Sequence, residues 1–304
     1  MNKETHVVPN AIIAGTVKSG TTSVYTYLAQ HPGVCNSTVK ETTFFMPETE
    51  VRKVKNLEDY RNQFKNCANE KVIFEATPGY FFFPDYVIPR IKDVCEDSKI
   101  VLIFRDPAAR FISFYKYKRA QLEIPKEITA SEYLDMCLQD APIGEFSEHS
   151  YLRGLQGGAY SQFFEPWAKA FKDRLWIGYF EDLKNDPLKF MNTLCEGLEL
   201  PEFEEGQIAF EIENQSVEPK YRSLQRLALK TNDWLEPLSR SFPGIKRGLR
   251  KVYYAVNKKP GRLQGLEDVT ARLRDIYEPE NTHFRSLLQK HGFDGPFPPW
   301  LSQD

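Results

Sequence analysis

Residues 15–22 read GTVKSGTT, and this stretch restricts the fold more than any other in the chain. An apolar run, VVPNAIIAG, leads into it, and a helix-like run, SVYTYLAQH, leads out. A glycine-rich loop between a strand and a helix turns backbone N–H groups toward an anion, and the helix dipole adds to the attraction. The spacing approaches the phosphate loop G-x-x-x-x-G-K-[ST]. Gly15 and Gly20 fit it, and Thr22 fills the hydroxyl position. Thr21, however, stands where the lysine belongs, and Lys18 comes three residues early. The stretch therefore reads as a degenerate ATP loop, a tight turn with a solvated lysine, or a loop built for another phosphate. In the last reading the Lys18, Ser19, Gly20, Thr21, Thr22 and Ser23 backbone and side chains surround the anion.

The apolar runs that follow set the fold class. VVPNAIIAG (7–15), KVIFEAT (71–77), KIVLIFR (99–105) and RLWIGYF (174–180) are continuous enough to be strands buried on both faces. Helical stretches separate them at Thr22–Gln30, Pro84–Val94, Ala108–Gln121, Ala130–Gln139 and Ser161–Phe171. The alternation predicts an α/β fold, P-loop-like and three-layered, with a central, mostly parallel β-sheet flanked by helices. Ligands bind beyond the carboxyl ends of such strands, where the opening loop falls. The expected organisation is a single domain over 1–304. Residues 124–158, rich in Pro and Gly, would form an acceptor-side lid, and 205–304 a mainly helical end.

Bulk charge excludes some partners. The formal net charge is -2, so nothing global attracts nucleic acid, and an anionic ligand must be held by local cations. No stretch approaches the ~20 apolar residues of a membrane span, and the N-terminus lacks the apolar core of a secretory signal. Cys35, Cys67, Cys95, Cys137 and Cys195 are odd in number, widely spaced and free of any C-x-x-C. Reduced thiols in a cytoplasmic protein, with no metal site, are the expectation. Oligomeric state is not legible.

The strand KIVLIFR ends in Arg105, followed by Asp106 and Pro107. An ATPase wants a Mg²⁺ carboxylate there; an arginine suits a second phosphate better. Ser113 lies two turns into the next helix and can converge with Arg105 on one anion. At this point the chain resembles the sulfotransferases that use 3'-phosphoadenosine 5'-phosphosulfate (PAPS), particularly the branch with the heparan sulfate sulfotransferases and their bacterial relatives. GTVKSGTTSVYTYLAQHP resembles their 5'-phosphosulfate loop and FRDPAARFISFYKYKR their 3'-phosphate motif. KETTFF and FEATPGYF resemble the segments lining the reaction centre. NQSVEPKYRSLQRL resembles the later cofactor-closing segment and IYEPENTHFRSLL the terminal helix.

The resemblance implies sulfonate transfer from PAPS, with 3',5'-bisphosphoadenosine (PAP) as product and no metal required. Lys18 would stabilise the leaving 5'-phosphate, Arg105 and Ser113 would bind the 3'-phosphate, and Tyr221 and Arg222 would reach the same nucleotide. Glu41, two positions ahead of the Thr43-Phe44-Phe45 run, would be the base. Apolar neighbours would raise its pKa, whereas Lys40 beside it would hold it ionised or bind the sulfonate. His149 is the other conceivable base. Many members of the branch carry a lysine where this chain has Ala76, a role that falls to Lys40 if it is kept. The acceptor would be a hydroxyl or amine of a small molecule or glycan. A Golgi enzyme without its anchor, a P-loop nucleotide kinase and a non-catalytic nucleotide-binding protein are the competing readings.

Overall fold

The computed structural model describes residues 7–50, 52–139, 154–210, 225 and 265–302. Five parallel strands form one sheet: β1 (Ala11–Gly15), β2 (Val34–Asn36), β3 (Val72–Ala76), β4 (Lys99–Phe104) and β5 (Leu175–Tyr179), in the order β2-β3-β1-β4-β5. All five residues of β1 are buried, as are all but the first of β4. Continuous apolar sequence thus becomes strand covered on both faces.

The helices are α1 (Thr21–Leu28), α2 (Leu57–Asn62), α3 (Pro84–Val94), α4 (Pro107–Ala120), α5 (Ala130–Gln139), α6 (Ser161–Phe171), α7 (Phe180–Asn185), α8 (Pro187–Gly197) and α9 (Leu266–Lys290). On the sheet, α1 and α8 pack together on one face and α3 and α6 on the other. Right-handed crossovers dictate the faces of α1, α3 and α6 when the chain runs one way from β1 to β2 and the other way from β3 to β4 and on to β5. The reversal makes the carboxyl ends of β1 and β4 a topological switch point, the place where open α/β sheets bind ligands.

Four strands and five helices fall where the sequence places them. It missed β2, whose three residues VCN are too few to carry a pattern, and the short α2. It also missed α7 and α8, although Asp186 caps α8 by accepting from the Lys189 amide and Pro187 follows it, an ordinary start signal.

The chain divides into two compact units: residues 1–106, 159–213 and 277–304 in the first, 107–158 and 214–276 in the second. The first holds the sheet. Its core includes Ile13, Val24, Leu28, Val101, Met191 and Leu194, all under 2% exposed. In the second, Tyr133 of α5 stacks on Tyr115 of α4 and packs at a tilt against Phe111. Buried Arg110 there donates to the Gly154 carbonyl. Of the expected lid, residues 140–153 lie outside the described residues.

The cysteine expectation is corrected. Cys35 and Cys67 form a disulfide, with Cα atoms 5.6 Å apart. Their separation of 32 positions hides the pairing in the sequence. It arises because the chain leaves β2, forms α2 and returns to enter β3 beside β2. Cys95, Cys137 and Cys195 are free and buried, and burial pushes Cys95 and Cys195 up to about 12, so neither is a thiolate nucleophile at neutral pH. His31 is structural: its Nδ1 accepts from the Gly33 amide at 3.0 Å and its Nε2 meets the Pro201 carbonyl at 3.1 Å. No helix among the described residues is long and apolar enough to cross a membrane.

Candidate active site

The loop after β1 is held from below. Thr16, fully buried, donates through both its amide and its hydroxyl to the Ile103 carbonyl of β4, each at 2.9 Å. Its hydroxyl also meets that of buried Ser19 at 2.7 Å, so the Ser19 side chain braces the loop from inside. Lys18 and Gly20 both take left-handed φ values, 72° and 84°. At Gly20 a Cβ would stand 2.8 Å from the Phe180 ring and 2.9 Å from Leu183, so only glycine fits this turn. No side chain caps the start of α1, and its first turn carries no acidic residue. The amides at the start of a helix have no intrahelical partner, so Thr21, Thr22 and Ser23 open α1 as an anion-suited terminus.

Arg105, just beyond β4, belongs to the same construction. Its guanidinium donates to the Lys18 carbonyl at 3.0 Å and lies 4.3 Å from the centre of the Phe180 ring. Phe180 therefore supports both Gly20 and Arg105. Tyr160 donates to the Arg105 carbonyl at 2.8 Å, and Glu181 accepts from the Asp106 amide at 3.0 Å. Sequence reasoning missed Phe180 and Glu181, and no spacing could have found them: they sit at the start of α7, about seventy-five positions beyond Arg105.

A second loop, KETTFF, hangs on the end of β3. The Glu41 amide donates to the Ala76 carbonyl at 3.0 Å and the Thr43 amide to the Thr77 hydroxyl at 3.3 Å. Glu41 and Thr43 also have left-handed φ, 60° and 54°. With Lys18, they are three of the six non-glycine residues with such φ among the described residues. Backbone held in this region costs of order 1–3 kcal/mol per residue and persists where the surroundings dictate it, often at functional sites.

Electrostatics decide the state of Glu41. Burial pushes its pKa up, but Lys40, Lys53 and Lys18 push harder in the other direction, and the result lies below the ordinary carboxylate value. The Lys40 ammonium is 2.8 Å from its Oε1, and the side chain is still 45% exposed, so the desolvation is partial and the cations prevail. Of the two expectations for Glu41, the ionised one describes the structure. Lys53 is a cation that sequence reasoning passed over; its ammonium reaches the Lys40 carbonyl at 3.5 Å and its amide donates to the Thr43 hydroxyl at 2.7 Å. Ala76 is fully buried in the core cluster with α1, while Lys40 is the next residue to the one hanging on its carbonyl.

Beneath this loop, Glu75 is fully buried and accepts from four hydroxyls: Thr42 at 2.6 Å, Tyr60 at 2.8 Å, Thr77 at 2.9 Å and Tyr80 at 3.2 Å. Burial raises its pKa against the downward pull of those hydrogen bonds.

The structure thus brings Lys18, Lys40, Glu41 and Arg105 to the carboxyl ends of β1, β3 and β4. Ser113 is half-buried on α4, in the second unit. Tyr221, Arg222 and His149 lie outside the described residues.

A parallel sheet with a glycine-turned loop and an arginine at its switch point defines an α/β fold of the P-loop kind. Residues 9–233 match the family model described as "Sulfotransferase domain", and the chain belongs to that family. It is 26% identical over 294 residues to mouse heparan sulfate glucosamine 3-O-sulfotransferase 3A1, a match covering 95% of this chain and 65% of that protein. It is 28% identical over 204 residues to the bifunctional heparan sulfate N-deacetylase/N-sulfotransferase 1 of Caenorhabditis briggsae, covering 64% of this chain but 23% of that protein. The chain therefore spans about a quarter of the length of this second relative. A solved sulfotransferase from Alicyclobacillus acidocaldarius has the same fold, with a TM-score of 0.56, 22% identity and coverage of 77% of this chain and 95% of that one.

Proposed function

We propose that the protein transfers a sulfonate group from PAPS to a hydroxyl or amine of a glycan or small-molecule acceptor. The observation that carries this reading is the meeting of an anion loop and an ionised carboxylate: Lys18, in the turn built around Gly20, lies close enough to Glu41 to lower its pKa. Family membership and the heparan sulfate sulfotransferase relatives support it.

The residues present fit the nucleotide. A Cβ-intolerant turn, an uncapped helix start and a fork-shaped cation suit an anion with separate phosphate positions. Ser19, Gly20, Thr21, Thr22 and Ser23 form the 5' cradle, and Lys18 supplies charge to the leaving phosphate oxygen. Arg105 holds the 3'-phosphate, and the motif assigns Ser113, Tyr221 and Arg222 to the same nucleotide. Bound PAPS supplies an activated sulfonate whose sulfur–oxygen bond breaks in line with attack. The acceptor oxygen or nitrogen loses its proton to the Glu41 carboxylate. Lys40 keeps that carboxylate charged and takes the place of the cation absent at Ala76. No step calls for a metal, since the leaving group is a phosphate met by Lys18. His149 is the alternative base, and 124–158 the acceptor-side lid, on motif and composition alone.

A glycan acceptor agrees with the relatives' names. The Cys35–Cys67 disulfide favours an oxidising compartment over the cytoplasm.

The test is incubation with PAPS and acceptor pools, among them desulfated heparan sulfate and simple phenols, read by mass spectrometry. The expected result is gain of one SO3 unit by an acceptor and release of PAP, unaffected by chelator. Stabilisation by ATP-Mg²⁺ and not by PAP would overturn it in favour of a kinase. Binding of PAP with no transfer to any pool would favour a non-catalytic role.

A further inference from the structure

We propose that Glu75 is a positioning residue for the transfer reaction: from within β3 it fixes the loop that carries Glu41. The mechanism above makes no use of this side chain, yet it is fully buried and its environment is built around it. A carboxylate has about four acceptor sites on its two oxygens. Here Thr42 and Thr77 fill one oxygen, and Tyr60 and Tyr80 the other.

Those four hydroxyls come from three segments: the loop itself, α2 and the turn after β3. Thr42 is the neighbour of Glu41. Thr77 accepts from the Thr43 amide, two residues along, and Tyr80 accepts from the Phe45 amide at 3.2 Å. Tyr60 belongs to α2 and stacks on Phe44, with ring centres 4.3 Å apart. The loop from 41 to 45 is thus suspended from one carboxylate through three hydroxyl relays and one stacked ring. The Cys35–Cys67 disulfide closes the same segment at its ends. Such a suspension explains how Glu41 and Thr43 keep left-handed backbone without glycine. Holding a base to within a fraction of an ångström is what proximity catalysis requires.

The inference rests on Glu41 acting as the base, and its test separates the two. Thr42→Val keeps the shape and removes the hydroxyl; Thr42→Ser keeps the hydroxyl. Glu75→Gln turns one acceptor oxygen into a donor facing a pair of hydroxyls. Hydrogen exchange is measured on residues 40–46 and, as a control, on 21–28, with thermal stabilisation by PAP measured on each variant. Thr42→Val and Glu75→Gln are expected to speed exchange in 40–46 by about tenfold, the size of a lost hydrogen bond to a charged group. Exchange in 21–28 and the PAP shift stay at wild-type values, and Thr42→Ser behaves as wild type. In transfer from PAPS, Thr42→Val lowers kcat about tenfold with KM for PAPS within about twofold, and Thr42→Ser restores kcat.

Unchanged exchange in 40–46 in Thr42→Val would overturn the proposal. So would equal damage in Thr42→Ser, or a parallel loss of PAP stabilisation, which marks a residue that merely holds the fold. Failure of PAP to stabilise even the wild-type protein would overturn the nucleotide reading instead, and the exchange comparison would still decide the role of Glu75.

Discussion

Glu41 illustrates how a single residue acquires its chemistry from neighbours both adjacent and remote in sequence. Its own segment, K-E-T-T-F-F, offers an adjacent lysine and two aromatic rings, which push its pKa in opposite directions. Burial pushes it up, Lys40 supplies the largest downward pull, and Lys53 and Lys18, neither a sequence neighbour, add to that pull. The sign follows. A carboxyl whose folded pKa is depressed contributes stability that is present above its unfolded pKa and is lost as pH falls through the folded one. Its base form likewise persists to below the ordinary carboxylate value of about 4.3. The transfer rate is therefore expected to be insensitive to Glu41 titration from pH 5 upward. Lys53→Met removes one of the opposing cations and should move the acid limb of the pH–rate profile upward. A limb that stays in place would show that Lys53 does not act on the base. Glu41→Gln should cost about 10²–10⁴-fold in transfer, the usual worth of a general base, while PAP still stabilises the protein. Loss of both together would assign Glu41 to nucleotide binding.

At the scale of elements, the loop from β1 to α1 depends on one glycine and one aromatic ring. Gly20→Ala imposes a side chain on a φ of 84° and drives its Cβ into Phe180, which also carries Arg105. The expected cost is about 1–3 kcal/mol of stability, read as a lower urea midpoint. It should be accompanied by loss of PAP stabilisation, since the same ring packs against Gly20 and Arg105, the residues proposed to hold the two phosphates. A variant that keeps its PAP response would separate the turn from the nucleotide. The segment between β2 and β3 is governed by a covalent tie. Closing 32 positions of chain restricts the unfolded state by about 3–4 kcal/mol in the chain-entropy account. The double variant Cys35→Ser/Cys67→Ser should lose roughly that stability in denaturant titration. Wild-type protein under strong reductant should fall to the same midpoint. Identical midpoints with and without reductant would mean the bond does not constrain folding.

For the whole molecule, ligand linkage is the broadest test, because it needs no acceptor. A ligand that binds only the folded chain at a hundred times its Kd stabilises by about 2.7 kcal/mol. PAP is expected to do so with chelator present or absent. A shift that requires Mg²⁺ would speak for a kinase-type site.

The α/β class, the mostly parallel sheet and the glycine-turned loop after β1 were legible in the sequence. Strands buried on two faces must be continuously apolar, and a left-handed turn against a packed ring must be glycine. Lys18 and Arg105 stood out as candidates because each sits just beyond a strand end, where a parallel sheet exposes its ligand-binding edge, whereas Glu41 stood out only through the resemblance of KETTFF to the family's segment. Tertiary structure alone decided the rest. The part of the Glu41 balance that Lys53 and Lys18 add to Lys40, the footing of Arg105 on Phe180, the cage around Glu75 built of hydroxyls from three segments, and the Cys35–Cys67 bond made by the return of the chain beside β2 all belong to it. Periodicity and local motifs report which face a residue buries. Coulomb interactions, hydrogen bonds and disulfides act through space, and only the folded chain sets those distances.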